Sequence, residues 1–159
     1  MIEKVSHFLS ERTEQVMTLA IETIERTHLP SYERVGASVS GERLRALFAL
    51  VIRCAGERHL EPMLEHAERI AKERHAAGVG LQEVQRAINV VEEAIWRVVL
   101  AELPAEEQGE ALGVVATILG AAKDRLACTY VSLVSAKPTR TLALGALFHG
   151  TTEGEHDPS

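Results

Sequence analysis

The chain has few aromatic residues and few cysteines. Aromatics make up 4% of its 159 residues, with one Trp, two Tyr and three Phe. Leu, Val, Ile and Ala must therefore fill the core, and that bias suits closely packed helices better than a β-sandwich. The two cysteines, Cys54 and Cys128, show no C-x-x-C spacing and sit in apolar helical stretches, so both are expected as buried free thiols rather than a disulfide or a zinc site. Basic charge is not in excess: 17 Lys plus Arg stand against 23 Asp plus Glu, a formal net charge of -6. That balance lacks the electrostatic footprint of a nucleic-acid binder. No apolar run reaches the roughly 18 residues a membrane span needs. The first ten residues carry Glu3, Lys4 and His7, not the apolar stretch of a signal peptide. A cytoplasmic protein with neither membrane nor nucleic-acid partner is expected.

Catalytic patterns are equally scarce. There is no Gly-rich phosphate loop ending in Lys-Ser/Thr, no C-x-x-C-H haem attachment, and no nucleophile beside a base in a known arrangement. His66 lacks the flanking residues of histidine phosphotransfer and kinase dimerisation helices. The chain is therefore expected not to be an enzyme. Glu25-x-x-His28 has the spacing that sets two metal ligands on one helix face. A di-iron bundle needs that motif on two helices with further carboxylates, and the repeat at Glu153 and His156 falls in a presumed tail. Glu25 and His28 remain the metal candidates, and no cofactor is expected. His59, His66 and His75, interleaved with Glu61, Glu65 and Glu73, read as a solvated charged face.

What is present is helical periodicity. With 46% hydrophobic residues, the chain has enough apolar surface for one globular domain. Apolar positions from Val5 to Ile24 predict a first helix over about 2–27, stopped by Pro30 and followed by a loop, Ser31 to Ser40, containing Gly36. A second helix is predicted over about 42–55, broken from a third by Gly56 and Pro62. The third, about 61–77, has a thin apolar stripe (Met63, Leu64, Ala67, Ile70, Ala71) and a charged outer face. The fourth, about 81–102, steps through Leu81, Val84, Ile88, Val91, Ile95 and Val98, with Trp96 and Leu100 on other faces. It is central to the fold or shared with another subunit. The fifth runs from about Ala105 to Ala136. Its glycines, Gly109, Gly113 and Gly120, suggest close approach of a neighbouring helix, since each costs about 1 kcal/mol of helix propensity. An all-α, antiparallel helical bundle of about five main helices follows. Residues 1–138 form the domain, with an amphipathic turn and acidic tail over 139–159.

Between the third and fourth helices lies Glu73-Arg74-His75-Ala76-Ala77-Gly78-Val79-Gly80-Leu81-Gln82-Glu83-Val84. Gly78 stands where a helix C′ residue takes positive φ, and Gly80 gives the chain room to turn. Glu83 suits the positive start of the next helix. Arg74 is placed to pair with Glu83 or Glu92. Trp96 reads as a core or interface anchor before a pocket wall. Arg74, His75 and Trp96 are the ligand-binding candidates.

Arg74, Gly78, Leu81, Glu83, Val84 and Trp96 match an Arg-x-x-x-Gly-(small or apolar)-x-Leu-x-Glu-(Val or Leu) pattern followed by a helix bearing a large residue. In this the chain resembles the RsbRD N-terminal domain family. The likeness extends over about Phe8 to Tyr130, and its specific part is the corner and its two helices. The resemblance implies a sensory or regulatory domain of a bacterial stress-signalling system. Such domains commonly precede an output module, including the α/β type of anti-sigma antagonists. Here about thirty residues follow Tyr130, too few for that module, so a single-domain homologue or a piece of a longer protein is expected. A homodimer, with a signalling protein as a further partner, is the expected mode of action. The alternative is a small-ligand or haem-binding, globin-like helical domain, which needs His28 or His75 facing an apolar cavity.

Overall fold

A computed structural model describes residues 2–136. They form six helices and, among the described residues, no strand: α1 (Ile2–Ser10), α2 (Thr13–Thr27), α3 (Pro30–Glu57), α4 (Glu61–Ala76), α5 (Leu81–Glu102) and α6 (Ala105–Ser135). The all-α class holds, with six helices in place of about five. The last three lie where the periodicity puts them. The amphipathic turn over 142–148, the tail and Pro138 lie outside the described residues.

Two departures fall in the first third of the chain. The single helix expected over 2–27 is broken at Glu11 and Arg12. There the Ser10 hydroxyl donates to the His7 carbonyl (2.8 Å) and the Thr13 hydroxyl to the Ser10 carbonyl (3.0 Å), side-chain bonds that compete with the helical ladder. Arg12 fixes the break: its guanidinium lies 3.8 Å from the centre of the Phe8 ring, donates to the Phe8 carbonyl (2.9 Å) and pairs with Glu102 of α5. Because of the break, α1 packs on α3 while α2 packs on α5.

The second departure is the expected loop Ser31 to Ser40, which is helix. Pro30 ends α2 and then occupies the first turn of α3, where its missing N–H is not needed. Gly36 does not stop this helix but bends it, at φ 84° and ψ 163°, a backbone region essentially reserved for glycine. Gly56 lies inside α3, and a Cβ on it would come within 3.0 Å of Ser6 Oγ on α1. Its role is close approach, since Ser6 also donates to the Ile52 carbonyl of α3 (3.1 Å).

One core joins all six helices. α5 contributes Val84, Ala87, Ile88, Val90, Val91, Ala94, Ile95, Val98 and Val99, all buried, which makes it the central helix. Met63, Ala67 and Ala71 on α4 are buried against α6, and the two alanines let the helices approach closely. Cys54 is buried but Cys128 is exposed, contrary to expectation, because it falls off the Leu119–Leu126–Tyr130 stripe of α6. The room left by Gly109, Gly113 and Gly120 is not used by any of the six described helices; among the described residues a Cβ at each would meet nothing within 4 Å. No helix among the described residues is long and apolar enough to cross a membrane.

Candidate functional site

The corner after α4 closes through its own backbone first. Gly78, at φ 77°, donates its N–H to the His75 carbonyl (3.1 Å), and Val79 donates to the Arg74 carbonyl (2.9 Å). This paired pattern is the Schellman motif, and it needs the left-handed residue that glycine supplies. Gly80, by contrast, has φ −71° and open space at its missing Cβ, so the turn does not require a glycine there.

Side chains from distant helices then lock the corner. The Tyr130 hydroxyl of α6 donates to the Val79 carbonyl (2.9 Å), a buried bond spanning 51 positions. Its ring meets His75 edge-on, with centroids 5.7 Å apart and planes at 82°. Burial pushes the Tyr130 phenol up, so it stays a donor. Glu83 accepts the Ser31 N–H of α3 at 2.8 Å. Its carboxylate therefore satisfies an orphan donor of α3 while lying in the first turn of α5, favourable to both helix starts.

Arg74 joins neither Glu83 nor Glu92, the partners its position suggested. Glu83 is committed to Ser31, and Glu92 to Lys123 (2.9 Å). Among the described residues the Arg74 guanidinium instead pairs only with its neighbour Glu73, at 3.6 Å, with its side chain 14% exposed. It lines a cleft of about 340 Å³ between α3, α4 and α5. Arg43 of α3, Arg69 and His66 of α4, and the Tyr32 side chain line the same cleft, over an apolar floor that includes Leu47 and Val84. Arg69 approaches His66 Nδ1 at 2.8 Å, so that ring nitrogen accepts from the guanidinium. Burial first, then Arg69 and Arg74, hold His66 below its ordinary pKa. Desolvation and the adjacent Arg74 charge lower Arg43 as well. Burial raises the Tyr32 phenol, against the pull of Arg74 and Arg43.

Trp96 sits elsewhere, on the outer face of α5, and is 50% exposed. It borders a surface groove of about 520 Å³ with Leu112 and Ala116 of α6, flanked by Glu92, Glu93 and Lys123. Leu100, one turn on, is 43% exposed.

The metal candidates Glu25 and His28 border one cleft but do not share a helix face. α2 ends at Thr27, and His28 is its left-handed cap (φ 50°), so the helical spacing does not extend to it. His28 Nδ1 lies 2.9 Å from Glu33 Oε1, and Glu25 borders the same shallow cleft of about 300 Å³. Among the described residues no group of three or more His, Cys, Asp or Glu could hold a metal ion.

Sequence reasoning singled out Arg74 and missed Arg43, Arg69 and Tyr32. Their residue types carried a signal only once α3 and α4 were known to lie side by side. Over residues 12–132 the chain matches the family described as the RsbT co-antagonist protein rsbRD N-terminal domain. The chain belongs to that family, one of sensory domains in bacterial stress signalling. No curated protein and no solved structure matches it.

Proposed function

We propose that this chain is a non-catalytic sensory domain that works as a homodimer joined through the α5–α6 face around Trp96. The observation that carries the reading is the placement of Trp96. A tryptophan on a central core helix would ordinarily bury most of its surface, and here half of it faces solvent beside Leu100.

Two features favour a second copy as the occupant. The charges on the face are already paired within the chain, Glu93 with Arg97 (3.0 Å) and Glu92 with Lys123 (2.9 Å), so a second copy can cover it without burying an unpaired charge. Gly109, Gly113, Ala116 and Gly120 of α6 recur at helical spacing along one side, and the room at the glycines is unfilled by any described residue. A copy's helix can come close there, much as α6 approaches α4 through alanines. A haem-binding reading has less support. His75 holds its ring against Tyr130, and His28 is engaged with Glu33.

Sedimentation equilibrium tests the dimer. The wild type is expected at twice the chain mass of 17.4 kDa, and Trp96→Asp at the single-chain mass with unchanged helical circular dichroism. A monomeric wild type, or a Trp96→Asp variant that stays dimeric, overturns the reading.

A further inference from the structure

We propose that the cleft between α3, α4 and α5 is a binding site for a small organic anion, one with a carboxylate or phosphate head on an apolar body. The head lies against Arg43 and Arg74, and the body against the floor formed by Leu47 and Val84. The site is separate from the Trp96 face and does not depend on the dimer.

The charge arrangement makes the argument. Arg12, Arg45, Arg53, Arg97 and Arg125 each pair with a carboxylate. Arg43 forms no hydrogen bond or ion pair among the described residues, although it lines a recess. Arg74, whose side chain is 14% exposed, has among the described residues only the 3.6 Å ion-pair contact with Glu73, its neighbour in sequence. Both guanidiniums therefore line one recess, where burial first and the Arg74 charge second lower Arg43, without an anion of matching geometry. A carboxylate or phosphate between them would take up paired N–H donors and relieve the repulsion.

Other groups shape the same site. The Tyr32 hydroxyl makes no hydrogen bond among the described residues, and its ring lines the cleft, so it can donate to a bound head group. Arg69 adds a third positive charge at the rim, oriented by His66. Glu42 and Glu73 partly offset these charges, which disfavours a highly charged polyanion and favours a single head group. The volume of about 340 Å³ is at the low end for a small-molecule pocket, which limits the body to about one ring or a short chain.

Isothermal titration of the full chain with phenyl phosphate, benzoate, benzyl alcohol and inorganic phosphate tests the site. Phenyl phosphate or benzoate is expected to saturate at one per chain, and the tighter of the two identifies the head group. Benzyl alcohol is expected not to bind, and inorganic phosphate to bind at least tenfold more weakly than phenyl phosphate. Arg43→Gln, on a partly exposed side chain, should weaken binding about tenfold or more. Arg53→Gln, on the same helix but paired outside the cleft with Glu57, should leave it unchanged. The proposal fails if neither aromatic anion saturates, if Arg43→Gln binds like wild type, if Arg53→Gln weakens binding equally, or if inorganic phosphate or benzyl alcohol binds as well as phenyl phosphate. Circular dichroism of Arg43→Gln separates lost binding from lost fold. The mass measurement on Trp96→Asp is unaffected by any of these outcomes.

Discussion

The last turn of α4 faces two regions built on opposite terms. On its corner side, backbone groups find partners in sequence or across the fold: Gly78 with His75, Val79 with Arg74 and Tyr130, Ser31 with Glu83. On its cleft side, Arg74 and Arg43 share a recess where neither has a well-placed acceptor. Arg74 belongs to both, its carbonyl to the corner and its guanidinium to the cleft. Satisfied groups make the corner a fixed point, and unsatisfied ones leave the cleft with unspent binding capacity. Mutations in the first region should therefore be read in stability, and those in the second in binding.

The largest effect expected on this contrast is Tyr130→Ala. It removes a buried ring and the bond to Val79, and should lower unfolding stability by about 3 kcal/mol in urea titrations. Tyr130→Phe keeps the ring and should cost about 1 kcal/mol, isolating the hydrogen bond. Gly78→Ala should cost about 1–2 kcal/mol from the left-handed backbone alone, because no neighbour stands within 4 Å of the added methyl. Gly80→Ala, two residues on, should change stability by less than about 0.5 kcal/mol. An equal loss at both glycines would show that the corner does not rest on the Schellman geometry. On the cleft side, Arg43→Gln should leave stability within about 0.5 kcal/mol of wild type, despite its expected effect on anion binding.

The smallest effect concerns pH. His66 has a pKa below its ordinary 6.5 in the folded chain. Between the folded value and 6.5 the unfolded chain holds more protons at this site, so stability rises with pH through that window. Its contribution is complete above pH 6.5 and is lost as pH falls below it. Wild type and His66→Gln, compared by thermal denaturation between about pH 5.5 and 7.5, should differ in slope there. Parallel curves would remove His66 from the account.

Legibility in the sequence followed the range of the interactions. α5 and α6 were readable because their apolar residues recur with one period over many turns, and Gly78 because a helix terminus is local chemistry. The break at Arg12 was hidden, since it is held by Glu102 of α5. The helix over Ser31 to Ser40 was hidden too: Pro30 and Gly36 read as stops, and the carboxylate that caps its start, Glu83, lies 52 positions away. That misreading concealed the cleft, because Tyr32 then had no helix face and could not be set beside Arg43 and Arg74. Trp96 stands out in the sequence as the large residue of the family pattern and as a core or interface anchor, and only packing shows which: it is 50% exposed.

Gly36 gives the cleft a mechanical character. Tyr32 stands on the short arm of α3 before the bend, and Arg43 on the long arm after it. Glu83 clamps the short arm to α5, while the long arm is buried through Leu44, Leu47 and Phe48. The gap between phenol and guanidinium is thus gauged by the two torsions of a single residue that has no side chain, like jaws set by one pivot pin. Because its combination of φ and ψ is open essentially to glycine alone, any other residue at that pin would reset the jaws without touching either of them.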